Sequence, residues 1–251
     1  MAFEVTVLGS SGSHTGPGRV CSSYLLRSGS TKILVDSGNG SSANLQRIMA
    51  PEDLDAIIIT HRHVDHCIDL IGMFYALRFH EKGHKTIRLY AAPQVHDMLT
   101  GLLADDSAFA FHEVFHHVPI EAGDEFQIGT FMIECHHANH PVPTVSLRIT
   151  AEGRTLVYSS DTAGGEELEA AAAGCDLFLC EATWQGDAAD YPPGIHLTAT
   201  DAGALAKRVG VPRLMLTHVL GSLDPEKSRK EAAKAFGADV EIAVEGETTE
   251  V

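Results

Sequence analysis

The residues best suited to chemistry form a short cluster in the first third of the chain. Thr60-His61-Arg62-His63-Val64-Asp65-His66 places four potential metal ligands within six residues, directly after the apolar run 56–59. Imidazole nitrogens and carboxylate oxygens are the ligands that zinc and its first-row neighbours accept. A tag or a polar loop can also concentrate histidines, but such a segment seldom follows a buried strand. The cluster therefore predicts a metal site at a strand-to-helix turn.

Three residues farther along the chain are candidates to complete this site. His140, Asp161 and His218 each lie at or just past the end of an apolar run. A single histidine in such a place is more often an ordinary polar boundary residue. Ligands gather at strand ends in α/β folds, however, so the shared placement of all three favours a common site.

Alternating strand and helix patterns must position these residues. Apolar residues at helical spacing predict helices over 65–80, 93–104, 166–173, 198–209 and 225–236. One face of the first helix is predicted to carry Ile68, Ile71, Gly72, Tyr75 and Phe79. Shorter apolar or alternating runs predict strands over 3–8, 23–27, 32–35, 56–59, 86–90, 112–118, 125–134, 144–149, 155–158, 177–180, 213–216 and 240–244. Because no linker divides the patterns, we expect one domain over 1–251, with two mixed half-sheets that carry outer helices.

Composition restricts the class of protein and its partners. The 251 residues are 44% hydrophobic and 21% charged, which is typical of a globular chain. No apolar run reaches the roughly 18 residues that a membrane span needs, and the first residues do not resemble a secretory signal. The five cysteines form no Cys-x-x-Cys pair, which disfavours a disulfide framework. We therefore expect a cytoplasmic protein that makes no membrane contact. The net charge of −16 disfavours a long nucleic acid as substrate.

The order of the candidate ligands resembles a known metal signature. His-x-His-x-Asp-His, followed by a His, an Asp and a His, is similar to the signature of the metallo-β-lactamase superfamily, and the match runs nearly end to end. The resemblance implies an αββα four-layer sandwich of two mixed β-sheets with metals at one edge. It also implies the ligands: His61, His63 and His140 for one metal, Asp65, His66 and His218 for the other, and Asp161 between them. Asp36 resembles the family's buried aspartate near the metal loop, although an ordinary turn aspartate is the alternative.

The implied cofactors are two divalent metal ions. Zinc suits the ligand set best, and manganese and iron fit nearly as well. Two such cations, about 3.5–4 Å apart, can share a hydroxide that serves as the nucleophile. The resemblance thus implies a metal-dependent hydrolase in which Asp65 belongs to the catalytic residues.

Two further segments indicate a branch of the superfamily. Glu181-Ala182-Thr183 and His196-Leu197-Thr198 resemble the Glu-Ala-Thr and His-Ser-Thr elements of ribonuclease Z-like phosphodiesterases. In that branch the glutamate orients the histidine, which donates a proton to the leaving oxygen. The resemblance therefore implies that Glu181 and His196 are catalytic. The alternative is that Thr198 caps its helix and His196 is a surface residue.

The chain also departs from the larger members of that branch. Only 20 residues separate His140 from Asp161, which leaves no room for the arm that binds transfer RNA, and only 33 follow His218. The remaining resemblance is to short bacterial ribonuclease Z-like proteins, which include cyclic nucleotide phosphodiesterases and are commonly homodimers. We expect a phosphodiesterase acting on a small-molecule phosphodiester such as a 3′,5′-cyclic nucleotide.

Three other functions remain open at this point. The chain could process RNA 3′ ends without the arm, hydrolyse a lactone or another ester at the same metal site, or bind metal without turnover. Whether the glycine-rich loop 9–13 or Trp184 contacts the substrate is also open.

Overall fold

Two seven-stranded sheets form the centre of the protein, in a computed structural model that describes residues 2–81, 83 and 85–251. The strands in this part of the chain are β1 (Phe3–Gly9), β2 (Ser11–Gly12), β3 (Ser23–Ser28), β4 (Thr31–Val35), β5 (Ala56–Ile59), β6 (Ile87–Ala91), β7 (Phe115–Pro119), β8 (Glu125–Ile128), β9 (Phe131–His137), β10 (Val145–Ala151), β11 (Arg154–Tyr158), β12 (Leu177–Glu181), β13 (Leu214–Thr217), β14 (Val219–Leu220), β15 (Glu241–Ile242) and β16 (Thr248–Glu250). The α-helices are α1 (Ser41–Gln46), α2 (Val64–Cys67), α3 (Leu70–Arg78), α4 (Pro93–Gly101), α5 (Asp105–Val114), α6 (Glu166–Ala172), α7 (Ala199–Val209) and α8 (Pro225–Phe236).

Both large sheets are mixed, and they are built alike. The first has the order β16-β1-β3-β4-β5-β6-β7, parallel from β4 to β7 and antiparallel in the rest. The second has the order β15-β13-β12-β11-β10-β9-β8, parallel from β15 to β11 and antiparallel beyond. A short parallel pair, β2 with β14, lies outside both sheets.

Alternation along the strands separates the core into layers. On β5, Ala56 and Ile58 belong to the hydrophobic cluster between the two sheets, whereas Ile57 and Ile59 belong to the cluster beneath α3, α4 and α5. Successive side chains of a strand point to opposite faces, so one strand can serve both layers. A third cluster lies between the second sheet and helices α6, α7 and α8. The layers confirm the predicted αββα sandwich. None of the described helices is long and apolar enough to cross a membrane.

The helix predicted over 65–80 is wrong in its continuity and its buried face. The chain forms α2 and then α3, and α3 buries Phe74 and Leu77. Tyr75 and Phe79, which were predicted to share the apolar face, are 41% and 75% exposed. Two stripes at helical spacing compete in this segment, and periodicity does not tell which one meets the sheet.

The strand predicted over 112–118 is also wrong in its first half. Helix α5 continues to Val114 and buries Ala110 and Phe111, and β7 begins only at Phe115. The run predicted as one strand over 125–134 is instead the hairpin of β8 and β9. Its turn contains Gly129, whose φ of 55° favours glycine.

The carboxyl ends of five strands place polar residues at one edge of the sandwich. Glu181 ends β12, and His218 directly follows β13. Asp36 and His61 follow β4 and β5, and Asp161 comes three residues after β11. Since these strands are parallel neighbours within their sheets, their ends meet at the same edge.

Candidate metal centre

The seven side chains predicted to bind metal lie together at this edge. They form two groups that share Asp161, and each group could hold a metal ion, because one ligand atom from each member lies within 4.8 Å of the others. We name the other members of the first group the His63 group and those of the second the His66 group. The His63 group consists of His61, His63 and His140; the His66 group consists of Asp65, His66 and His218.

Asp161 lies between the two groups and is only 1% exposed. Its Oδ1 is 3.1 Å from His66 Nε2 and 3.2 Å from His218 Nε2. Its Oδ2 is 3.5 Å from His61 Nε2 and 3.9 Å from His140 Nε2. This is the position expected of a carboxylate shared by two ions.

Four histidines turn the same nitrogen toward the centre. His66 Nδ1 donates to Asp36 Oδ2 at 2.8 Å, and His140 Nδ1 donates to the Ile195 carbonyl oxygen at 2.9 Å. His218 Nδ1 and His61 Nδ1 contact the hydroxyl groups of Thr183 and Thr60 at 2.8 and 3.1 Å. An outer acceptor on Nδ1 fixes the tautomer and leaves Nε2 as the metal-binding nitrogen. The outer contacts therefore suit a metal site.

Unsatisfied polar atoms point to the same conclusion. His61 Nε2 and Asp161 Oδ1 are buried and have no hydrogen-bond partner among the described residues. A buried polar atom without a partner is costly, and a cation held among these atoms would satisfy both. Burial lowers the pKa of His66, but Asp161, Asp36 and Asp65 outweigh it and raise the pKa well above the ordinary value. The carboxylates thus favour a positive charge here, and the donor set fits divalent metal ions.

Asp36 supports the His66 group from inside the sandwich. Its side chain is fully buried, and Oδ1 accepts from the Thr60 backbone N–H at 2.8 Å. Oδ2 accepts from Tyr158 Oη at 3.0 Å as well as from His66. Asp36 is therefore the buried aspartate beside the metal loop that the resemblance implied, and not an ordinary turn residue.

Burial adjusts the protonation of the His63 group. It lowers the pKa of His61 to about 4 and also lowers the pKa values of His63 and His140. His63 Nδ1 faces His140 Nε2 at 3.1 Å. Neutral imidazole is the form that binds metal, so these shifts favour ligation at neutral pH.

Glu181 and His196 meet beside the metal groups. Glu181 is fully buried, and its Oε1 accepts from His196 Nδ1 at 2.9 Å. Burial lowers the pKa of His196, but Glu181 outweighs this effect and raises it. The pair can therefore hold a proton on a ring whose Nε2 is not engaged by Glu181. Glu181, His196 and His218 also form a third cluster of potential ligand atoms within 4.8 Å.

Comparison with known proteins identifies the family. Residues 31–219 match the beta-lactamase superfamily domain. The chain belongs to this superfamily. The match includes all seven candidate metal ligands together with Glu181 and His196.

Three relatives of this superfamily member match it nearly end to end. An uncharacterized protein of Mycobacterium leprae is 36% identical over the whole chain and 89% of its own length. The probable metallo-hydrolase YhfI of Bacillus subtilis is 29% identical over 97% of this chain and 98% of its own. The YhfI crystal structure covers both chains fully, with 28% identity and a TM-score of 0.89. A ribonuclease Z of Bradyrhizobium sp. is 29% identical over 94% of this chain and 96% of its own. The chain is a metal-dependent hydrolase of the ribonuclease Z-like branch.

The alternative interpretation of the second motif is partly correct in this superfamily member. Thr198 does cap α7, and it forms a capping box with Asp201. The His196 side chain, however, is only 10% exposed, so it is not a surface residue. The cap residue lies two residues after His196 and α7 starts one residue later, so capping and a catalytic role are compatible.

Sequence reasoning assigned no role to Thr183, which the structure places between two functional residues. Thr183 Oγ1 donates to Glu181 Oε2 at 2.6 Å and accepts from His218 Nδ1 at 2.8 Å. Thr183 thereby connects the carboxylate of the Glu181–His196 pair to a candidate metal ligand. Its presence in the Glu-Ala-Thr motif, two residues after the end of β12, was the available signal.

The glycine-rich loop 9–13 contacts candidate ligands. The Ser13 backbone N–H donates to Asp65 Oδ2 at 2.7 Å. A Cβ atom on Gly12 would lie 2.4 Å from the His218 carbonyl oxygen, so only glycine fits there. The loop therefore positions Asp65 and His218, and a contact between this loop and substrate stays a prediction.

Proposed function

We propose that this hydrolase is a phosphodiesterase with two metal ions that cleaves a small substrate such as a 3′,5′-cyclic nucleotide. The observation that carries the proposal is the Glu181–His196 pair beside two complete groups of candidate ligands. An alkoxide is a poor leaving group, and an imidazole whose proton is stabilised by a carboxylate is a competent general acid. A hydrolase acting only on good leaving groups would not need this pair.

The proposed cofactors are two divalent ions, with zinc first and manganese or iron as alternatives. The His63 group would hold one ion, the His66 group the other, and Asp161 would lie between them. When bound, the ions would supply a nucleophile at neutral pH and stabilise negative charge on the phosphoryl oxygens.

The chain's own residues have three roles in this proposal. Asp65 would help to hold one ion. It is fixed by the Ser13 backbone N–H and by His218, whose Nε2 lies 3.2 Å from Asp65 Oδ2. Glu181 orients His196 and stabilises its proton. His196 donates that proton to the leaving oxygen from the nitrogen that Glu181 does not engage.

The first experiment compares two substrates with metal-reconstituted protein: 3′,5′-cyclic AMP and bis(p-nitrophenyl) phosphate. We expect cleavage of both, and loss of both in His63→Ala. His116→Ala is the matched control, because His116 is exposed and lies outside the two groups. Cleavage of the nitrophenyl diester alone would reject cyclic AMP as substrate. If the protein binds metal fully but cleaves no ester, it is a binding module without turnover.

RNA 3′ processing is the second candidate, because a relative that matches 94% of this chain is a ribonuclease Z. In this chain, β10 and β11 occupy the segment between His140 and Asp161 where an RNA-binding arm would be inserted. The net charge of −16 also disfavours a long polyanion. Cleavage of a precursor transfer RNA by the reconstituted protein would reverse this ranking.

A lactonase is a further alternative on the same metal site. Unlike a phosphodiesterase, it would tolerate His196→Ala.

We also propose a cytoplasmic homodimer. All five cysteines are free and buried, as expected in a reducing compartment. Dimerisation stays a prediction from the family resemblance. Light scattering on the purified protein tests it directly.

A further inference from the structure

Two separate cavities lie beside the candidate metal centre and share no lining residue. One, of about 360 Å³, has His196 in its wall together with Trp184 and residues 192–194, and it includes none of the seven candidate ligands. The other, of about 420 Å³, is lined by Ser13, Arg62, His63, Val64, Asp65 and Met98. The two cavities therefore differ in chemistry: one contains the proposed general acid, the other two candidate ligands and a guanidinium.

If the proposed function holds, this difference determines how the substrate is oriented in the site. His196 must approach the leaving oxygen to within hydrogen-bond distance. The leaving group therefore lies on the side of the His196 cavity. The part of the substrate that keeps the phosphoryl group then extends into the other cavity, which is lined by His63 and Asp65.

The arginine in the wall of that second cavity is exposed. Arg62 makes no hydrogen bond or ion pair with any residue that the structure describes, although it lies between the ligand candidates His61 and His63. Seven other arginines form ion pairs with acidic residues: Arg27, Arg78, Arg148, Arg154, Arg208, Arg213 and Arg229. The chain has 34 acidic and 18 basic residues other than histidine. Arg62 is therefore a cation beside the candidate ligands of an acidic protein that has no partner in the described part of the chain.

We propose that Arg62 binds a second phosphate, carried by the retained part of the substrate. A guanidinium presents a planar fork of N–H donors that matches a phosphate and stays charged at any physiological pH. Ser13 adds a hydroxyl to the same wall, while its backbone N–H is engaged by Asp65. The preferred substrate is then a diester whose retained group is a nucleoside with a further phosphate, so that cleavage leaves phosphates at both its 3′ and 5′ positions. A simple 3′,5′-cyclic nucleotide, which has no second phosphate, is then cleaved less well.

A pair of chromogenic substrates tests this proposal. Thymidine 5′-(p-nitrophenyl phosphate) and its 3′-phosphorylated form differ only in the second phosphate, and both release p-nitrophenol. We expect the wild-type protein to prefer the 3′-phosphorylated form in kcat/KM. Arg62→Ala should reduce that preference about tenfold, since a hydrogen bond to a charged group is worth at least that much. Arg62→Lys should retain part of it.

Arg88→Ala is the matched control, because Arg88 is also an exposed arginine, lies on β6 and does not line this cavity. It removes the same charge and should leave the preference unchanged. Wild-type protein that cleaves both substrates without preference, or Arg62→Ala protein that keeps the preference, would overturn the inference while the phosphodiesterase stands.

A binding measurement distinguishes failure of the Arg62 inference from failure of the proposed phosphodiesterase function. If neither substrate is cleaved, the proposed function fails, and calorimetric titration with thymidine 3′,5′-bisphosphate still decides the role of Arg62. About tenfold weaker binding by Arg62→Ala than by Arg88→Ala supports the second phosphate site. Equal affinities reject it.

Discussion

The His66 group and the His63 group differ in the outer hydrogen-bond partners of their histidines. In the His66 group, His66 contacts Asp36 directly, and His218 reaches Glu181 through the Thr183 hydroxyl. In the His63 group, His140 contacts a backbone carbonyl, and His61 reaches Asp36 through the Thr60 hydroxyl. A direct contact with a fully buried carboxylate thus supports His66, whereas the described outer contacts of the His63 group reach such a carboxylate only through a hydroxyl.

This difference suggests a division of labour. A buried carboxylate on Nδ1 makes the imidazole a stronger ligand and ties it to the strands that carry the carboxylate. The His66 group should therefore couple metal binding to the stability of the fold. His63 and His140 are only partly buried, whereas every member of the His66 group is buried, so the ion of the His63 group should exchange more readily.

The largest effect is expected where the two groups meet. Asp161→Ala removes the carboxylate whose two oxygens face both groups, so both ions should be lost and hydrolysis with them. Metal analysis after dialysis measures this, with Asp176→Ala as a control, since Asp176 pairs with Arg154 at the surface. Retention of one ion per chain would show that Asp161 serves a single group.

The next effect concerns the proton and not the metals. His196→Ala should slow cleavage of an alkyl phosphodiester by about 10²–10⁴-fold, because its leaving oxygen needs a proton. A p-nitrophenyl diester, whose leaving group is stable as an anion, should lose far less. Turnover of both substrates by one preparation with known metal content is the measurement. Equal losses on both would reject the general-acid role.

A smaller effect is expected on stability, and it compares the carboxylate behind the His66 group with a ligand of the His63 group. Asp36→Ala leaves the buried donors of Thr60, Tyr158 and His66 without an acceptor. It should lower the free energy of unfolding by about 3 kcal/mol and the affinity for one ion by about 10–100-fold. His63→Ala should also weaken one ion but should lower the free energy of unfolding by less than about 1 kcal/mol.

Urea unfolding and zinc titration of the two variants, side by side, test that contrast. If Asp36→Ala and His63→Ala lose the same stability, the carboxylate support of the His66 group has no special role in the fold.

The layers and the site edge could be predicted from local patterns. Ligands such as His61 and His218 follow short apolar runs, and strand ends collect functional residues whatever the rest of the topology. The exposed face of α3, with Tyr75 and Phe79, could not be predicted. Its cause is the choice between two helical stripes, which depends on contacts distant in sequence.

Contacts distant in sequence also limited what could be predicted of the site. The sequence motif identified Glu181 and His196, because both belong to recognisable segments. The bridging position of Thr183 depends on β12 and β13 being parallel neighbours, which brings Thr183 close to His218. The sequence likewise does not tell which arginines form ion pairs. That Arg62 has no partner among the described residues follows only from the tertiary structure.

The smallest expected effect tests whether the carboxylate of Glu181 serves the proton or the metals. Glu181→Gln keeps a hydrogen-bonding side chain but removes the negative charge that raises the His196 pKa. His196 acts as an acid only while protonated, so activity is present below its pKa and is lost as pH rises through it. The alkaline limb of kcat should therefore move to lower pH. Glu169→Gln is the control, because Glu169 pairs with Arg208 at the surface. An unmoved limb together with lost metal would assign Glu181 to the His66 group instead.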